Sequence, residues 1–313
     1  MLTTVKAKWR ENAVSHFMTE LIDYAGLFPP AALPLSEAIH NYSSYITGSD
    51  SWMLGPFVIP AARLNELEEY KDKFNQQYPF RLSVILTDSS ELQTELKAIE
   101  QFLHTFQDEG SVDSIEIKLS QNIKPSFLEK LAKDTKDCPV YCEVTGTNEQ
   151  VQSLLDTIEL VNKKSSKQFG VKMRMGGIRA EMFPSAEKAA FLIHECQKRS
   201  LFIKFTAGLH HPIRQYRKEV ETKMHGFVNV FTAALFAYNH CIDVKIIENI
   251  LLDEDPSHFS FTPAGLSWGN MTVSSEDINK ARSLFAHSYG SCSFDEPREE
   301  LGNLSIFHEE VTE

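Results

Sequence analysis

The chain has 313 residues, which is enough for one large α/β barrel or two average domains. Its formal net charge of −12 argues against nucleic acid or an anionic membrane surface as the main partner. No stretch approaches the roughly 18 apolar residues of a membrane span, and the N-terminus lacks a signal-peptide core. The five cysteines show no C-x-x-C spacing. We therefore expect a reduced, cytoplasmic protein.

Strand and helix patterns alternate along most of the chain. The apolar periodicity predicts helices at residues 8–24, 35–47, 63–76, 90–108, 125–135, 148–163 (capped by Asn148), 185–198 (capped by Ser185), 233–253 and 275–287 (capped by Ser274 or Ser275). It predicts strands at residues 23–28, 56–60, 81–87, 114–120, 140–145, 170–176, 201–208 and 226–231. Residues 208–224 form a polar connection, 259–268 a hairpin and 290–297 a turn-rich segment, before an acidic, mobile tail.

Residues 169–212 show the repeating unit most clearly, as strand, Gly-rich turn, helix and strand. In the first strand Lys172 and Arg174 share one face by the two-residue alternation of a pleated backbone. In the second strand Lys204 and Thr206 share the corresponding face. A flat parallel sheet would cover these charges with helices at high cost, whereas a barrel directs them into its lumen.

The alternation predicts an eight-stranded (β/α)8 TIM-like barrel as a single domain spanning residues 1–313, with an N-terminal helix. The barrel core covers about residues 20–253, and residues 254–313 form an appended hairpin, helix and tail. If residues 23–28 are a loop, residues 259–268 would have to supply the eighth strand. The alternative fold is an open doubly wound α/β sheet.

Alternation places a set of polar residues on the inward faces of the strands. These are Ser83, Thr87, Glu116, Lys118, Tyr141, Glu143, Thr145, Lys172, Arg174, Lys204, Thr206 and Asn229. Four cations against two carboxylates inside an acidic protein predict an anionic ligand, such as a carboxylate or phosphate. The alternative is that Glu116 pairs with Lys172, and Glu143 with Lys204, without chemistry.

Further candidates follow the central strands. Gly176 and Gly177 could bind phosphate through backbone N–H groups or could simply form a tight turn. His210 and His211 come after the next strand, and either could join Glu143 and His225 in a metal site, although no metal-binding spacing supports this. Cys292 is a candidate nucleophile or a buried, inert thiol. Asp23, Asp295 and Glu296 could each reach the open end of the predicted barrel, where its strands end.

Two resemblances follow from these motifs. The segment FIKFTAG (202–208) is similar to the strand that carries the Schiff-base lysine of deoxyribose-phosphate aldolases, and GVKMRMGGIR (170–179) looks like their second lysine strand with phosphate-binding glycines. This resemblance implies an imine-forming Lys204. Separately, DYAGLFPPA, GLHHP, MHGF and GSCSFDEP resemble a family of uncharacterised bacterial proteins of similar length, which implies no activity.

The leading hypothesis is a barrel enzyme that acts on a small anionic carbonyl or sugar-phosphate-like compound by lyase, aldolase or isomerase chemistry. Lys204 would form an imine or act as an electrophile, and Lys172 and Arg174 would clamp the anion. Glu143 or Glu116 would be the acid or base.

In the same hypothesis His210 or His211 would shuttle protons, while Lys118, Gly176, Gly177, Thr206 and Asn229 would bind substrate. A metal-dependent hydrolase or isomerase and a non-catalytic anion-binding or scaffold protein are the alternatives. No cofactor is required, although a divalent metal and a homo-oligomer are left open.

Overall fold

The computed structural model describes residues 13–87, 91–135, 138–166, 168–304 and 306. Eight parallel strands close into a barrel in the order β1-β13-β7-β6-β5-β4-β3-β2. The barrel strands are β1 (Ile22–Tyr24), β2 (Leu54–Pro60), β3 (Phe80–Leu86), β4 (Gly110–Lys118), β5 (Val140–Glu143), β6 (Phe169–Arg174), β7 (Ile203–Thr206) and β13 (Ala286–Ser291). The predicted α/β barrel is confirmed, and the open doubly wound sheet is wrong.

Helices alternate with these strands. They are α1 (Ala13–Met18), α2 (Leu35–Thr47), α3 (Leu92–Phe106), α4 (Pro125–Asp134), α5 (Asn148–Asn162), α6 (Ala186–Lys198), α7 (Phe227–His240), α8 (Val244–Leu252), α9 (Ser275–Leu284) and α10 (Asp295–Gly302). Ser185 and Ser274 cap α6 and α9 as predicted, by accepting backbone N–H bonds. Thr147, not Asn148, caps α5, because its hydroxyl accepts from the Gln150 N–H. Ala61–Lys73 is a 3-10 helix rather than the α-helix predicted at 63–76.

Small differences remain at the ends of other elements. The part of the first predicted helix before residue 13 lies outside the described residues, as do residues 88–90, 305 and 307–313. The prediction of a mobile tail is wrong for residues 298–302, which belong to α10. No helix among the described residues is long and apolar enough to cross a membrane.

Residues 226–231 were predicted as a strand, and this is wrong. They form the start of α7, in which every side chain from Phe227 to Ala237 is buried. A helix that is apolar on all faces loses the 3.6-residue signature, so a short alternating stretch within it resembles a strand. The helix predicted at 233–253 is also divided, because Cys241 takes a left-handed conformation with φ of 50°. Asp243 then caps α8.

The eighth barrel strand is instead β13, which lies between β7 and β1. Residues 290–297, predicted as turn-rich, contain the end of this strand and the first turn of α10. The barrel therefore extends well beyond the predicted core of residues 20–253. The sequence of β13, AHSYGS, gives no apolar alternation because it is rich in small residues.

Two small antiparallel sheets lie outside the barrel. In the polar connection 208–224, β8 (Gln215–Arg217) pairs with β9 (Thr222–Met224). The predicted hairpin 259–268 is confirmed as β10 (Phe259–Phe261) and β11 (Gly265–Trp268), and β12 (Met271–Ser274) adds a third strand. These strands do not supply the eighth barrel strand.

Outward-facing strand residues form the apolar layer beneath the helices. Val171, Met173, Ile203 and Phe205 are all buried there, as alternation predicts. Each such side chain contributes about 1.5–3 kcal/mol relative to an exposed one. The opposite faces of the same strands therefore turn into the barrel, which places their polar residues in or above its lumen.

Candidate active site

A continuous ion network crosses the middle of the barrel. Lys172 Nζ lies 2.7 Å from Glu116 Oε2 and 2.8 Å from Glu143 Oε2. Lys204 Nζ lies 2.6 Å from Asp23 Oδ2 and also pairs with Glu116 Oε1. Glu116 thus bridges both lysines, and the network joins side chains from five barrel strands, β1, β4, β5, β6 and β7.

The pairing differs in part from the sequence prediction. Glu116 does pair with Lys172, but Glu143 pairs with Lys172 rather than with Lys204, because Glu143 and Lys172 are register partners on adjacent strands. The buried network contains three carboxylates, including Asp23, and two ammonium groups. The predicted excess of cations is therefore wrong for the buried interior.

Both buried lysines are held in the protonated form. Burial lowers the pKa of Lys204, but the charges of Asp23 and Glu116 outweigh it, so the pKa lies above its usual value. The pKa of Lys172 is raised in the same way, because Glu116 and Glu143 outweigh burial. Imine formation needs a neutral amine, and these surroundings oppose it.

The acidic members of the network respond in opposite directions. Burial raises the pKa of Glu116, but two ammonium groups overcome this and hold it well below its usual range. Burial also raises the pKa of Asp23, and there the single ammonium of Lys204 does not compensate. Both partners of the Lys204–Asp23 pair thus have raised pKa values, because Lys204 contacts two carboxylates while Asp23 contacts one ammonium and is repelled by Glu116.

Asp23 also restricts position 55, on the neighbouring strand, to glycine. A Cβ on Gly55 would lie 2.1 Å from Asp23 Oδ1, so only glycine fits beside this carboxylate. The same Oδ1 is buried and accepts no hydrogen bond from the described residues. Ser288 donates to the other oxygen at 3.0 Å.

Two further basic residues lie at the carboxyl end of the barrel. Lys118 and Arg174 have the inward parity of Glu116 and Lys172, but both side chains are exposed because they end their strands. Among the described residues neither has a carboxylate within 4.0 Å, and the Arg174 guanidinium contacts only the carbonyl of Gly176, at 3.5 Å. Half-buried Thr206 is the register partner of Arg174. We call Lys118, Arg174 and Thr206, with Glu143 and Lys172 beneath them, the mouth.

Exposure rises steadily from the network towards the mouth. The side chains of Lys204 and Asp23 are 1% exposed, that of Lys172 is 6% and that of Glu143 is 9%. Glu143 is the register partner of Lys118 on one side and of Lys172 on the other. The Glu143–Lys172 pair is therefore the part of the network that a ligand at the mouth reaches first.

The two candidate phosphate-binding glycines follow β6. A Cβ on Gly176 would lie 2.4 Å from the Phe183 ring and 2.9 Å from the Gly208 backbone, and one on Gly177 would strike Met182. Neither glycine has positive φ, so the tight-turn explanation is wrong. These glycines instead allow the loops after β6 and β7 to pack closely beside the mouth.

Two predicted site residues lie away from the barrel lumen. Asn229 belongs to α7, and its amide donates to the carbonyls of Ile250 and Asp253 at 2.8 Å, which joins α7 to the end of α8. His225 Nε2 contacts the Pro184 carbonyl at 2.8 Å. Burial lowers the pKa of His225 to about 4. Among the described residues, the predicted set of Glu143, His225 and His210 or His211 is not one of the groups of side chains close enough to hold a single metal ion.

The two remaining candidate histidines, His210 and His211, lie in the loop after β7 and contact α10, which follows β13. His210 Nδ1 lies 3.1 Å from Glu296 Oε2, and both of its ring nitrogens lie 4.0 Å from Cys292 Sγ. Burial lowers the pKa of His210, but the contacts with Cys292 and Glu296 raise it to about 9. His211 Nδ1 lies 2.8 Å from Glu300 Oε2. The sequence prediction missed Glu300, because residues 290–297 were predicted as turn-rich and the chain beyond them as an acidic, mobile tail, whereas α10 spans Asp295–Gly302.

Cavities also open at the opposite, amino end of the strands. One of about 800 Å³ is lined by Gln168 and Phe202, and one of about 500 Å³ reaches Asp23 and Tyr141. We assign the candidate site to the carboxyl end, since α/β barrels bind substrate there. Both arginines that line the second cavity are moreover already occupied, because Arg81 pairs with two carboxylates at 2.6 Å each and Arg282 donates to three backbone carbonyls.

Comparison of the chain with models of known protein families and with curated protein sequences finds no match. The fold and the geometry of these side chains therefore carry the functional conclusion.

Proposed function

We propose that this protein is an enzyme that binds a small anionic carbonyl compound at the mouth and moves a proton, as an isomerase or a lyase does. The observation that supports this most strongly is the pair of exposed cations, Lys118 and Arg174, which lack a carboxylate partner among the described residues. Both flank the Glu143–Lys172 pair. Unpaired cations above a buried carboxylate–ammonium pair can bind an anionic substrate and hold its reacting carbon atom next to that pair.

Each residue of the mouth has a distinct role in this proposal. Arg174 and Lys118 hold the carboxylate or phosphate group of the substrate, and Thr206 donates a hydrogen bond to it. The Lys172 ammonium stabilises the negative charge that develops on the carbonyl oxygen, because its raised pKa keeps it protonated. Glu143 removes the proton from the neighbouring carbon and returns it to the product.

Lys204 stabilises the barrel in this proposal and forms no imine. Its ammonium is fully buried and bound to two carboxylates, so no free amine is available to attack the carbonyl carbon of a substrate. Treatment with borohydride and pyruvate should therefore leave the mass of the protein unchanged. A trapped adduct on Lys204 or Lys172 would instead favour the aldolase mechanism that the resemblance implies.

Anion binding at the mouth can be measured by calorimetry with inorganic phosphate and pyruvate as probes. Removing the guanidinium in Arg174→Met should weaken binding about 10- to 150-fold, because one charge-assisted contact is worth about 1.5–3 kcal/mol. Lys97→Met is a matched control, since Lys97 is an exposed lysine on α3 and not on a barrel strand. If the wild-type protein binds neither probe, or if Arg174→Met binds as tightly as Lys97→Met, the anion site is refuted.

Proton transfer can be followed by NMR in D2O, through exchange of the protons next to the carbonyl of pyruvate and dihydroxyacetone phosphate. We expect exchange with the wild-type protein and a loss of about 100-fold or more in Glu143→Gln, in line with typical general-base contributions. Anion binding without exchange would favour the non-catalytic anion-binding protein. Equal exchange by Glu143→Gln would remove the role of Glu143.

A further inference from the structure

A second cluster of polar side chains lies where the loop after β7 meets α10. His210 and His211 approach the helix from the loop, and Glu296 and Glu300 face them from the helix. The two contacts, 3.1 Å from His210 to Glu296 and 2.8 Å from His211 to Glu300, join elements that follow neighbouring barrel strands. Two separate parts of the chain therefore bring nitrogen and oxygen ligands to one place.

The spacing of three of these groups suits a single ion. One ring nitrogen of His211 and one oxygen each of Glu296 and Glu300 all lie within 4.8 Å of one another. Ligands with bonds of about 2.1 Å lie about 3 Å apart at right angles and about 4.2 Å apart on opposite sides of an ion. Only one pair of the three ligands can lie on opposite sides, so the other pairs must contract from at most 4.8 Å to about 3 Å. Rotation of the two glutamate side chains supplies this contraction, because both are only partly buried.

The charges of the cluster also favour a cation. Glu296 and Glu300 are four residues apart on one face of α10, where like charges repel. His211 is 1% exposed, and its Nδ1 is held 2.8 Å from Glu300 Oε2, so its ring nitrogen already faces the carboxylates. A divalent cation neutralises the two carboxylates and accepts a neutral imidazole as its third ligand.

We propose that His211, Glu296 and Glu300 bind a divalent transition-metal ion beside the mouth. One nitrogen and two oxygen ligands suit Zn²⁺, Mn²⁺, Fe²⁺ or Co²⁺ better than Ca²⁺ or Mg²⁺, which prefer oxygen alone. Three protein ligands leave coordination positions open, as in catalytic rather than structural metal sites. This site keeps His211 from the predicted set of Glu143, His225 and His210 or His211, but its other ligands are Glu296 and Glu300, and it does not depend on the proposed anion site.

Direct binding tests the proposal. After dialysis against EDTA, the full-length protein should bind Zn²⁺ and Mn²⁺ in calorimetric titrations with one ion per chain. Glu300→Gln and Glu296→Gln should each weaken binding about tenfold or more, a loss at least as large as that for changes around a metal site. Glu299→Gln is the matched control, because Glu299 is exposed on the same helix turn outside the cluster. It should bind within about twofold of the wild type.

Some outcomes would overturn the proposal. These are the absence of Zn²⁺ binding by the folded wild-type protein, and unchanged binding by the double variant Glu296→Gln/Glu300→Gln. The partly exposed glutamates can be changed without disturbing the core, and circular dichroism confirms that each variant is folded.

A spectrum identifies the ligands independently of affinity. Co²⁺ bound to nitrogen and oxygen should give visible absorption without a thiolate charge-transfer band, and Cys292→Ser should leave the spectrum unchanged. A thiolate band that disappears in Cys292→Ser would refute this ligand set in favour of a thiol–histidine site. Arg174→Met should retain full metal binding, so failure of the anion site and failure of the metal site are distinguishable.

Discussion

The buried ion network and the strand ends above it use the same strands and the same inward faces, yet their basic residues meet opposite conditions. On β6, Lys172 pairs with two carboxylates, whereas Arg174, two residues later, is exposed. On β4 the same contrast separates Glu116 from Lys118. Two residues further along the same face of a strand, a charge that is paired within the protein thus gives way to a charge that is free to bind a ligand.

Two features of a strand residue have different effects: its place in the two-residue alternation and its height along the barrel axis. Parity decides whether a side chain faces the lumen, while height decides whether water or another charged group meets it there. A buried charge without a partner is strongly destabilising. Charged side chains in the middle of the barrel must therefore be paired, whereas those at the exposed strand ends need not be. Stability and ligand binding should therefore separate experimentally between the two layers.

The largest expected effect comes from Lys204→Met. This change leaves Asp23 and Glu116 without one ammonium group, and we expect a loss of about 3–5 kcal/mol in the free energy of unfolding, measured with urea. Arg174→Met should lie within about 0.5 kcal/mol of the wild type, because exposed residues contribute little. Equal losses in the two variants would contradict the distinction between the layers.

Within the network, Glu116→Gln should cost more than Asp23→Asn. Glu116 bridges both lysines, and its removal should cost about 3 kcal/mol in urea unfolding at pH 7. The Asp23 charge is already disfavoured by burial, so its removal should cost about 1 kcal/mol or less. The reverse order would show that Asp23, not Glu116, holds the network together.

The two carboxylates should also give opposite pH dependences. Glu116 has a lowered pKa, so its contribution to stability is present above pH 4.5 and is lost as the pH falls further. Asp23 has a raised pKa, so its contribution declines as the pH rises from 3.8 through its folded value. Unfolding measured from pH 3 to 8 should therefore lose its acid-side slope in Glu116→Gln, whereas Asp23→Asn should remove the decline with rising pH.

Gly55→Ala probes the packing beneath the network. The added Cβ would lie 2.1 Å from the Asp23 carboxylate, which Lys204 and Ser288 hold in place, and we expect a loss of about 1–3 kcal/mol in thermal unfolding. Gly302→Ala is the control, since nothing lies within 4 Å of its added Cβ. A Gly55→Ala protein as stable as this control would mean that Asp23 can move.

The smallest effect on stability should come from Lys118→Met at the mouth. We expect a change within about 0.5 kcal/mol in urea unfolding, because the side chain is exposed and has no carboxylate partner among the described residues. Phosphate affinity should still fall several-fold in calorimetry. If stability falls while phosphate affinity does not, Lys118 belongs to the structural layer after all.

Much of the barrel could be predicted from its sequence, because most strands show clear apolar patterns and most helices a clear period. The exceptions have physical causes. Residues 226–231 alternate, but they start a helix that is buried on every face, so period alone could not identify it. β13 contains small and polar residues and owes its place to pairing with two distant strands, which local pattern cannot reveal.

The site was predictable to the extent that alternation applies. Lys172, Lys204, Glu116 and Glu143 do converge in the lumen, as the inward parity of their strands requires. Their partners were not predictable, because pairing depends on register and height around a closed sheet. Asp23 was a candidate only because of its place in the first predicted strand. In the structure it contacts Lys204 across the barrel, although β13 lies between the strands that carry the two residues.

The late position of β13 has a consequence for biosynthesis. A ribosome releases seven of the eight barrel strands before the one that fits between β7 and β1, and residues 207–285 emerge in the meantime. Until then both flanking strands present unpaired backbone edges, which are a hazard for intermolecular association. The nascent chain is thus most vulnerable just before its last strand arrives, and a chaperone would have most to do at that moment.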